Sequence, residues 1–349
     1  MSNIGNLVDR VFREYLEPMD DVNSYTYISG AISSDVNEDG NPIQTTLSFE
    51  GNMLSTEEED ALDAGTIIEV GRELMYCKSL NAVTNEITVQ RAVRGTSLQQ
   101  HSAGDTLKIS PVFPRQNVYD AVVDQIETLY PTLFAVETLT VTNKEGYTIL
   151  GSYDTPGTYN YLVAPIKAIS QYTQWDGNAD STSVQWRGVS VELVDLPNPY
   201  TYNDENGVER TITYNAGPNV VHALQTYGIS SGFQVHVTFK KKFLDKDSYT
   251  YSGDIENTTL TSIGLQTEYE PIIMAGAAAQ MLAGRDIPTA TTSYITDQMA
   301  VQNFPVNSAS NIRNSLLQYK QQLMQQARKD LRARYPEPVT INSIAYPSS

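Results

Sequence analysis

This chain has little cysteine, little histidine and a shortage of basic residues. Cys77 is its single cysteine, which excludes an intrachain disulfide and a zinc site built from cysteines. The chain has only three histidines, His101, His222 and His236, from which a catalytic triad or a metal centre could be built. The 23 basic residues are outnumbered by 41 acidic ones, which gives a net charge of -18. Nucleic-acid binding through a cationic surface is therefore disfavoured, because phosphate groups attract lysine and arginine.

Long apolar runs are also absent from the sequence. No run approaches the roughly 18 residues that a membrane span requires, and the amphipathic N-terminus up to Pro18 lacks the basic and apolar regions of a secretory signal. We therefore expect no membrane association. With 349 residues, of which 40% are hydrophobic, the chain is long enough to fold into about two domains.

The charge is unevenly distributed along the chain. Residues 1–310 contain 17 basic and 39 acidic side chains, whereas residues 311–349 contain 6 basic and 2 acidic ones. A basic end on an acidic body suits docking onto an acidic partner, including a second copy of the chain. The alternative is that the last turn of a helix favours cations because of the helix dipole.

Four segments are predicted to be helical, over residues 2–17, 117–130, 268–284 and 311–335. In the first, second and fourth, the apolar residues recur at the spacing of an amphipathic helix, and in the third a Pro near the first turn and a Gly at the end mark the helix. The third segment is unusual because small residues occupy positions 275–279, which would let another helix approach closely.

Two further regions, residues 25–113 and 137–250, contain the short β-branched and aromatic runs that are typical of strands. The first region predicts a small barrel or sandwich, and the second predicts a sandwich of about seven or more strands. We therefore predict an α+β fold. In it the N-terminal, central and C-terminal helices form one helical bundle, and the two β modules are inserted into that bundle.

The predicted domain boundaries follow from these patterns. They delimit an N-terminal bundle helix (1–24), a first β module (25–115), a bundle helix (116–136), a second β-sandwich module (137–250), the C-terminal bundle helices (251–335) and an extended tail (336–349). The C-terminal helical part contains a polar loop at residues 285–309.

Few residues resemble a catalytic or metal site. Asp35–Gly40 matches the first six positions of an EF-hand loop, but Thr46 stands where a bidentate Glu is required, so a hairpin turn explains the pattern better. His236 lies in an alternating strand pattern without a ligand partner nearby, and Cys77 lies in a buried-strand pattern as a small hydrophobic residue. We predict no catalytic residue, no metal, no cofactor and therefore no enzyme.

Lys240, Lys241 and Lys242 form the densest basic run of the chain. One interpretation is a solvated sheet edge or strand end, where lysines block aggregation. The other is a contact with an acidic neighbouring subunit.

A more specific pattern lies in the first β region, over Gly65–Tyr76, Ile87–Thr96 and His101–Asp105. It predicts a pair of hairpins followed by a tight loop, in which Gly95 and Gly104 allow turns, Thr96 caps one turn and His101 bridges loop backbone groups. This pattern resembles a small β module found in virion proteins of tailed bacteriophages.

The order of the predicted elements resembles the head–tail connector adaptor proteins of tailed bacteriophages. The shared features are an N-terminal helix, inserted β modules, a C-terminal helix with a basic end, and an extended tail. The resemblance implies a cyclic homo-oligomer of about 12 copies beneath the portal protein. It also implies contacts with downstream stopper and tail proteins, a place in the virion neck, and assembly in the host cytoplasm.

The resemblance implies that the last helix and the tail dock on the portal. The corresponding candidates for portal or subunit contacts are Arg328, Lys329, Arg332, Arg334, Tyr335 and Tyr346, together with Lys240, Lys241 and Lys242. DNA would pass through the ring without specific binding, because acidic side chains facing a channel would repel its phosphates.

Two other classes of function stay open at the level of sequence. The chain is alternatively another phage tail structural protein or a receptor- or glycan-binding protein, in which Trp175 and Trp186 would stack on sugar rings. A glycoside hydrolase is the third possibility, since carboxylates are abundant, although no two of them are marked as a catalytic pair.

Overall fold

The computed structural model describes most of the chain as two compact units. The residues it describes are 2–16, 25–50, 62–143, 147–152, 155–156, 162–175, 182–197, 200–203, 209–212, 220–227, 229, 232–244, 255–283 and 308–335. One unit, here called the barrel unit, contains Ser2–Gln125 and Glu270–Leu323. The other, the sandwich unit, contains Ile126–Tyr269 and the chain from Met324 onward.

Six antiparallel strands form a closed barrel in the barrel unit, in the order β1-β6-β3-β4-β5-β2. A backbone bridge between Ile28 and Phe49 joins β1 to β2 and closes the sheet, so that it has no free edge. Aliphatic side chains such as Leu47, Ile68 and Met75 fill the interior and are 0% exposed. The strands are β1 (Tyr25–Tyr27), β2 (Thr46–Ser48), β3 (Ile67–Val70), β4 (Glu73–Asn81), β5 (Glu86–Gln90) and β6 (Thr106–Ile109). All six strands lie within residues 25–113, the first region in which the sequence predicts strands.

Two sheets pack face to face in the sandwich unit, one in the order β12-β11-β17-β7 and the other in the order β13-β16-β8. Val235, Val237 and Phe239 from β17 share one apolar cluster with Leu224 from β16, because alternate residues of a strand point to the same face. The strands are β7 (Ala135–Thr142), β8 (Tyr147–Ile149), β9 (Gly151–Ser152), β10 (Thr155–Pro156), β11 (Leu162–Trp175), β12 (Thr182–Gly188), β13 (Ser190–Pro197), β14 (Tyr200–Asn203), β15 (Glu209–Ile212), β16 (Val220–Tyr227) and β17 (Gln234–Lys241). β9 pairs with β10, and β14 pairs with β15.

The four predicted helical segments do contain α-helices, and none of the described helices combines the length and the apolarity needed to span a bilayer. They are α1 (Ile4–Val11), which continues as a π-helical turn at Phe12–Leu16, α2 (Arg115–Thr128), α3 (Glu270–Met281) and α4 (Ser308–Arg334). Two of them have side-chain caps at the N-terminus. Asn3 caps α1, and the Glu69 carboxylate accepts the Arg115 backbone N–H at the start of α2.

Helices of the barrel unit meet through polar side chains. Lys320 on α4 donates a hydrogen bond to Gln125 Oε1 on α2, and Gln125 Nε2 donates to Gln280 Oε1 on α3 at 2.9 Å. A Cβ atom at Gly276 would collide with the Gln125 amide, so the glycine makes room for this contact. Burial lowers the pKa of the Lys320 ammonium group.

The predicted fold class, a helical bundle with two inserted β modules, is wrong. The described residues form seventeen strands and only four α-helices, and large apolar clusters lie inside the barrel and the sandwich. The sequence indicated which helical faces are apolar, but a stripe does not specify which element covers it. On α4, for example, Leu316 and Leu323 are only half-buried and Tyr319 is 44% exposed. The fold is mainly β, with helices added to it.

Candidate interaction site at the end of the C-terminal helix

A buried cluster in the barrel unit has the residue types of an active site. Glu73 Oε2 accepts hydrogen bonds from Arg91 Nη2 at 2.6 Å, from His101 Nε2 at 2.9 Å and from the Gln99 backbone N–H at 3.0 Å. Glu73 Oε1 accepts from Arg91 Nε at 2.9 Å and from the Ala92 backbone N–H at 3.1 Å. The Glu73 and Arg91 side chains are 0% exposed and that of His101 is 3% exposed. A substrate would have no access to these groups.

The cluster holds the loop between β5 and β6 against the barrel. Arg91 also donates to the backbone carbonyls of Ser33 and Gln99. The chain at Ser33 and this loop are therefore both bound to the Glu73–Arg91 ion pair. Gly71 has a φ of +61° and lies against this loop, because a Cβ atom there would stand 3.2 Å from Gln99 Oε1. Buried ion pairs need complete hydrogen bonding. The motif that resembles the virion module supplies these hydrogen bonds, so it has a structural role in this chain.

Acid should weaken the barrel through Glu73. Burial raises the pKa of the Glu73 carboxyl, but hydrogen bonds from His101, Arg91 and Gln99 and the charge of Arg91 outweigh burial and hold the pKa below its ordinary value of 4.5. A depressed pKa contributes stability above the unfolded-state pKa, and this contribution is lost as the pH falls through the folded-state pKa. We expect the urea concentration at the midpoint of unfolding to decrease as the pH is lowered past 4.5. This decrease should be less steep in Glu73→Gln than in wild type. Parallel pH profiles would contradict this assignment.

The other residues that drew notice in the sequence have structural roles. In Asp35–Gly40, Asn37 Oδ1 accepts from the backbone N–H groups of Asp39 and Asn41 at 3.1 and 2.9 Å, which is the arrangement of a turn. Cys77 is 1% exposed and its Sγ donates to the Leu62 carbonyl, and burial raises the pKa of its thiol. Within the described ranges, no three or more His, Cys, Asp or Glu side chains are grouped to hold a metal ion.

The sandwich histidines each contact a neighbouring strand. His222 Nδ1 lies 2.6 Å from Asp195 Oδ1, and His236 Nδ1 lies 2.7 Å from Thr140 Oγ1. The Trp186 ring lies 4.3 Å from the His236 ring, between centroids, and is 43% exposed. The side chain of Trp175 lies outside the described residues. Glycan binding through the tryptophans stays a prediction.

A cavity of about 280 Å³ lies in the sandwich unit at the C-terminal end of α4. We call it the basic cavity. Its lining comes from the segment before β7 and from the last turns of α4, and consists of Pro131, Thr132, Phe134, Arg328, Leu331, Arg332 and Tyr335. Phe134 and Leu331 are 8% and 3% exposed, so they form an apolar floor, whereas Arg328 and Arg332 are exposed at the rim.

Among the described residues, the cations around the basic cavity have few acidic partners. Arg334 lies 3.4 Å from Glu268 and also donates to Gln266 Oε1; both members of this ion pair are at least half exposed, so it contributes little to stability. Within the part of the chain that the structure describes, no carboxylate pairs with Arg328, Lys329 or Arg332. Three exposed cations in these turns, against one exposed carboxylate at Asp330, create a local positive potential on a chain of net charge -18.

Close packing positions the floor of the cavity. Gly264 has a φ of +77°, and a Cβ atom there would stand 2.8 Å from the Ala135 Cβ, immediately after Phe134. Tyr269 packs edge-on against Phe243 with ring centroids 5.8 Å apart. On α4, Ala327 and Leu331 are buried, so one face of the helix end is fixed while the arginines remain at the surface.

The lysine run lies close to the same cavity. Lys240 Nζ lies 4.8 Å from the centroid of the Phe134 ring, a cation–π contact. Lys241 Nζ lies 2.8 Å from Glu137 Oε2, and Lys242 is exposed. Of the two forms of the first interpretation, the strand end fits and the sheet edge does not: β17 lies between β11 and β7, and the lysines stand at its C-terminal end.

Sequence reasoning found the charged half of the basic cavity and missed the apolar half. Arg328, Arg332 and Tyr335 were candidates, whereas Pro131 and Phe134 were not. Leu331 belongs to the apolar stripe of α4, which carried a signal for burial but none for a cavity. Tyr346 lies outside the described residues, as do the tail and most of the polar loop predicted at 285–309.

The basic cavity is suited to binding a short acidic chain segment with an apolar side chain. Its volume is just below the range of about 300–1,000 Å³ that is typical of small-molecule pockets, and its apolar floor under a cationic rim resembles the core and rim of a protein interface. No family model matches this chain, and no curated protein or solved structure matches it either.

Proposed function

We propose that this chain is a structural protein of the virion neck of a tailed bacteriophage, a ring-forming head–tail connector adaptor. In this role it joins the portal protein to the downstream stopper and tail proteins and lets DNA pass through its lumen. It acts without a catalytic centre and without a cofactor. The basic end of α4 is the part that docks on other subunits, and the tail to Tyr346 and the run Lys240–Lys242 are the further candidates.

The observation that carries this proposal is the set of exposed cations at the end of α4. Arg328, Lys329 and Arg332 are solvent-exposed, next to a cavity with an apolar floor, at the end of an acidic chain. The helix dipole accounts for a preference for cations in the last turn, but it does not account for the adjacent cavity. Charged groups that are exposed and unpaired cost little in water and favour encounter with an acidic partner.

The portal is the partner to test first. We expect the purified chain to bind the portal protein of the same phage, and Lys329→Glu with Arg334→Glu to weaken this binding about tenfold, because the two changes place like charges against an acidic surface. Biolayer interferometry on immobilised portal measures the change. A matched control is Arg13→Glu with Lys78→Glu, which makes the same change of net charge on exposed residues of the barrel unit.

Three results would contradict the proposal. The first is a chain that neither binds portal nor forms a ring at any concentration or salt tested. The second is equal loss of portal binding in the control pair, which would show that net charge rather than the helix end determines the contact. The third is a map of the mature particle in which this chain lies away from the neck.

A further inference from the structure

We propose that the basic cavity is a contact between copies of this chain, filled by the acidic segment 51–61 of the neighbouring copy. This inference deepens the proposed function and rests on it, because it takes the cyclic ring as the assembly. It assigns Arg328 and Arg332 to the contact between copies, and it leaves Lys329 and Arg334, which do not line the cavity, for the portal.

Charge complementarity identifies the segment. Glu57–Asp60 is a run of four consecutive carboxylates, and elsewhere in the sequence no more than two acidic residues are adjacent. Against them stand the guanidinium groups of Arg328 and Arg332, which are one helical turn apart and therefore lie on the same face of α4. Guanidinium groups form paired hydrogen bonds with carboxylates, so two arginines and a run of carboxylates match in chemistry as well as in sign.

The apolar neighbours of the acidic run match the floor of the cavity. Met53 and Leu54 precede Glu57 in the sequence, and Phe134 and Leu331 form a floor that is almost fully buried under the arginine rim. An apolar side chain on this floor with carboxylates at the rim would reproduce the arrangement of a protein interface, in which apolar groups are central and charged groups peripheral.

The length of the segment permits this contact. It lies outside the described residues, and the residues that flank it, Glu50 and Leu62, both belong to the barrel unit. A stretch of this length that is held at both ends can extend roughly 18 Å from its anchors, at about 3.3–3.6 Å for each residue. The segment is therefore long enough to project well beyond its two anchors.

Charge reversal with rescue tests the inference. We expect Arg328→Glu with Arg332→Glu to raise the concentration at which rings form by about 100-fold, because it opposes like charges at the contact. Glu57→Lys, Glu58→Lys and Glu59→Lys should have the same effect, and the two sets combined in one chain should restore assembly. Mass photometry over a dilution series measures ring formation, and circular dichroism of each variant verifies that it is folded.

The matched control is Lys329→Glu with Arg334→Glu, which makes the same charge change within the same turns of α4 but outside the cavity lining. We expect it to form rings at the wild-type concentration while its portal binding is weakened. Ring formation that is unchanged in both reversed variants would overturn the inference, as would reversed variants that fail to assemble and that the combination does not rescue.

A direct probe guards against misfolded variants. A synthetic peptide of residues 51–62 should bind to the full-length wild-type chain, more weakly as salt increases, and should not bind to the chain with both arginines reversed. Equal binding to the two chains, or none to either, overturns the inference. If the chain binds the portal but shows neither peptide binding nor rescue, the contact between copies is overturned and the adaptor function stands. If rescue occurs but the chain does not bind the portal, the adaptor function is overturned and the contact between copies stands.

Discussion

Replacing Glu73 by glutamine is expected to lower the free energy of unfolding of the barrel by about 3–5 kcal/mol. The glutamine amide has nearly the same shape as the carboxylate, but it carries no charge and its NH₂ group cannot accept a hydrogen bond. Arg91 would then keep a buried positive charge, 0% exposed, without its counter-ion. Breaking a buried pair by removing one partner costs far more than the pair contributes, because the remaining charge is not solvated.

Chemical denaturation with hydrogen exchange as a second probe measures this effect. Exchange of the backbone amides in β4 and β5 separates unfolding of the barrel unit from that of the sandwich unit, which a single spectroscopic signal would mix. Glu38→Gln is the matched control, since it makes the same chemical change on an exposed turn and should alter stability by less than about 0.5 kcal/mol. A loss below about 1 kcal/mol in Glu73→Gln would contradict the structural role assigned to the cluster.

The second large effect is expected at Gly264, beside the floor of the basic cavity. Alanine there would lower the free energy of unfolding of the sandwich unit by about 3 kcal/mol, combining the cost of a left-handed backbone with that of overpacking. The φ of +77° is unfavourable for any residue with a Cβ atom, and that atom would stand 2.8 Å from the Ala135 Cβ. The clash involves a short side chain that cannot rotate away, so the backbone must move.

Gly232→Ala separates the two contributions at Gly264. Gly232 has a φ of +90°, and a Cβ atom there would meet no atom of the described residues within 4 Å, its chain neighbours aside. It therefore carries the backbone cost of about 1–2 kcal/mol alone. Urea denaturation of both variants gives the difference. If the two substitutions cost the same, the packing of Gly264 against Ala135 contributes nothing. Because Ala135 follows Phe134, we also expect Gly264→Ala to weaken peptide binding at the basic cavity.

Local patterns in the sequence located nearly all of the secondary structure. The strands of the barrel unit fall in the β-branched runs of residues 25–113, and α4 begins and ends within three residues of the predicted 311–335. Helix and strand periodicities arise from neighbouring residues, so these positions could be read without any knowledge of the fold. The helix caps were harder to predict from the sequence, because the carboxylate at the start of α2 comes from Glu69, which is distant in the chain.

The arrangement of those elements could not be read in the same way. The apolar stripes of three helical segments suggested a bundle, but a stripe indicates only that a face is covered, and large apolar clusters lie inside the barrel and the sandwich. The closure of the barrel through Ile28 and Phe49 depends on a pairing between distant strands. The position of β17 inside its sheet likewise decided that the lysines stand at a strand end and not along a sheet edge.

The sequence by itself determined the acidic character of the chain, the cationic end of its last helix and the positions of most helices and strands, because each of these depends on neighbouring residues. Only the tertiary structure decided that Glu73, Arg91 and His101 form a closed ion cluster, and that Phe134 lies beneath Arg328 and Arg332. Those contacts join residues far apart in the chain, and which distant side chains meet is determined by the packing of whole elements.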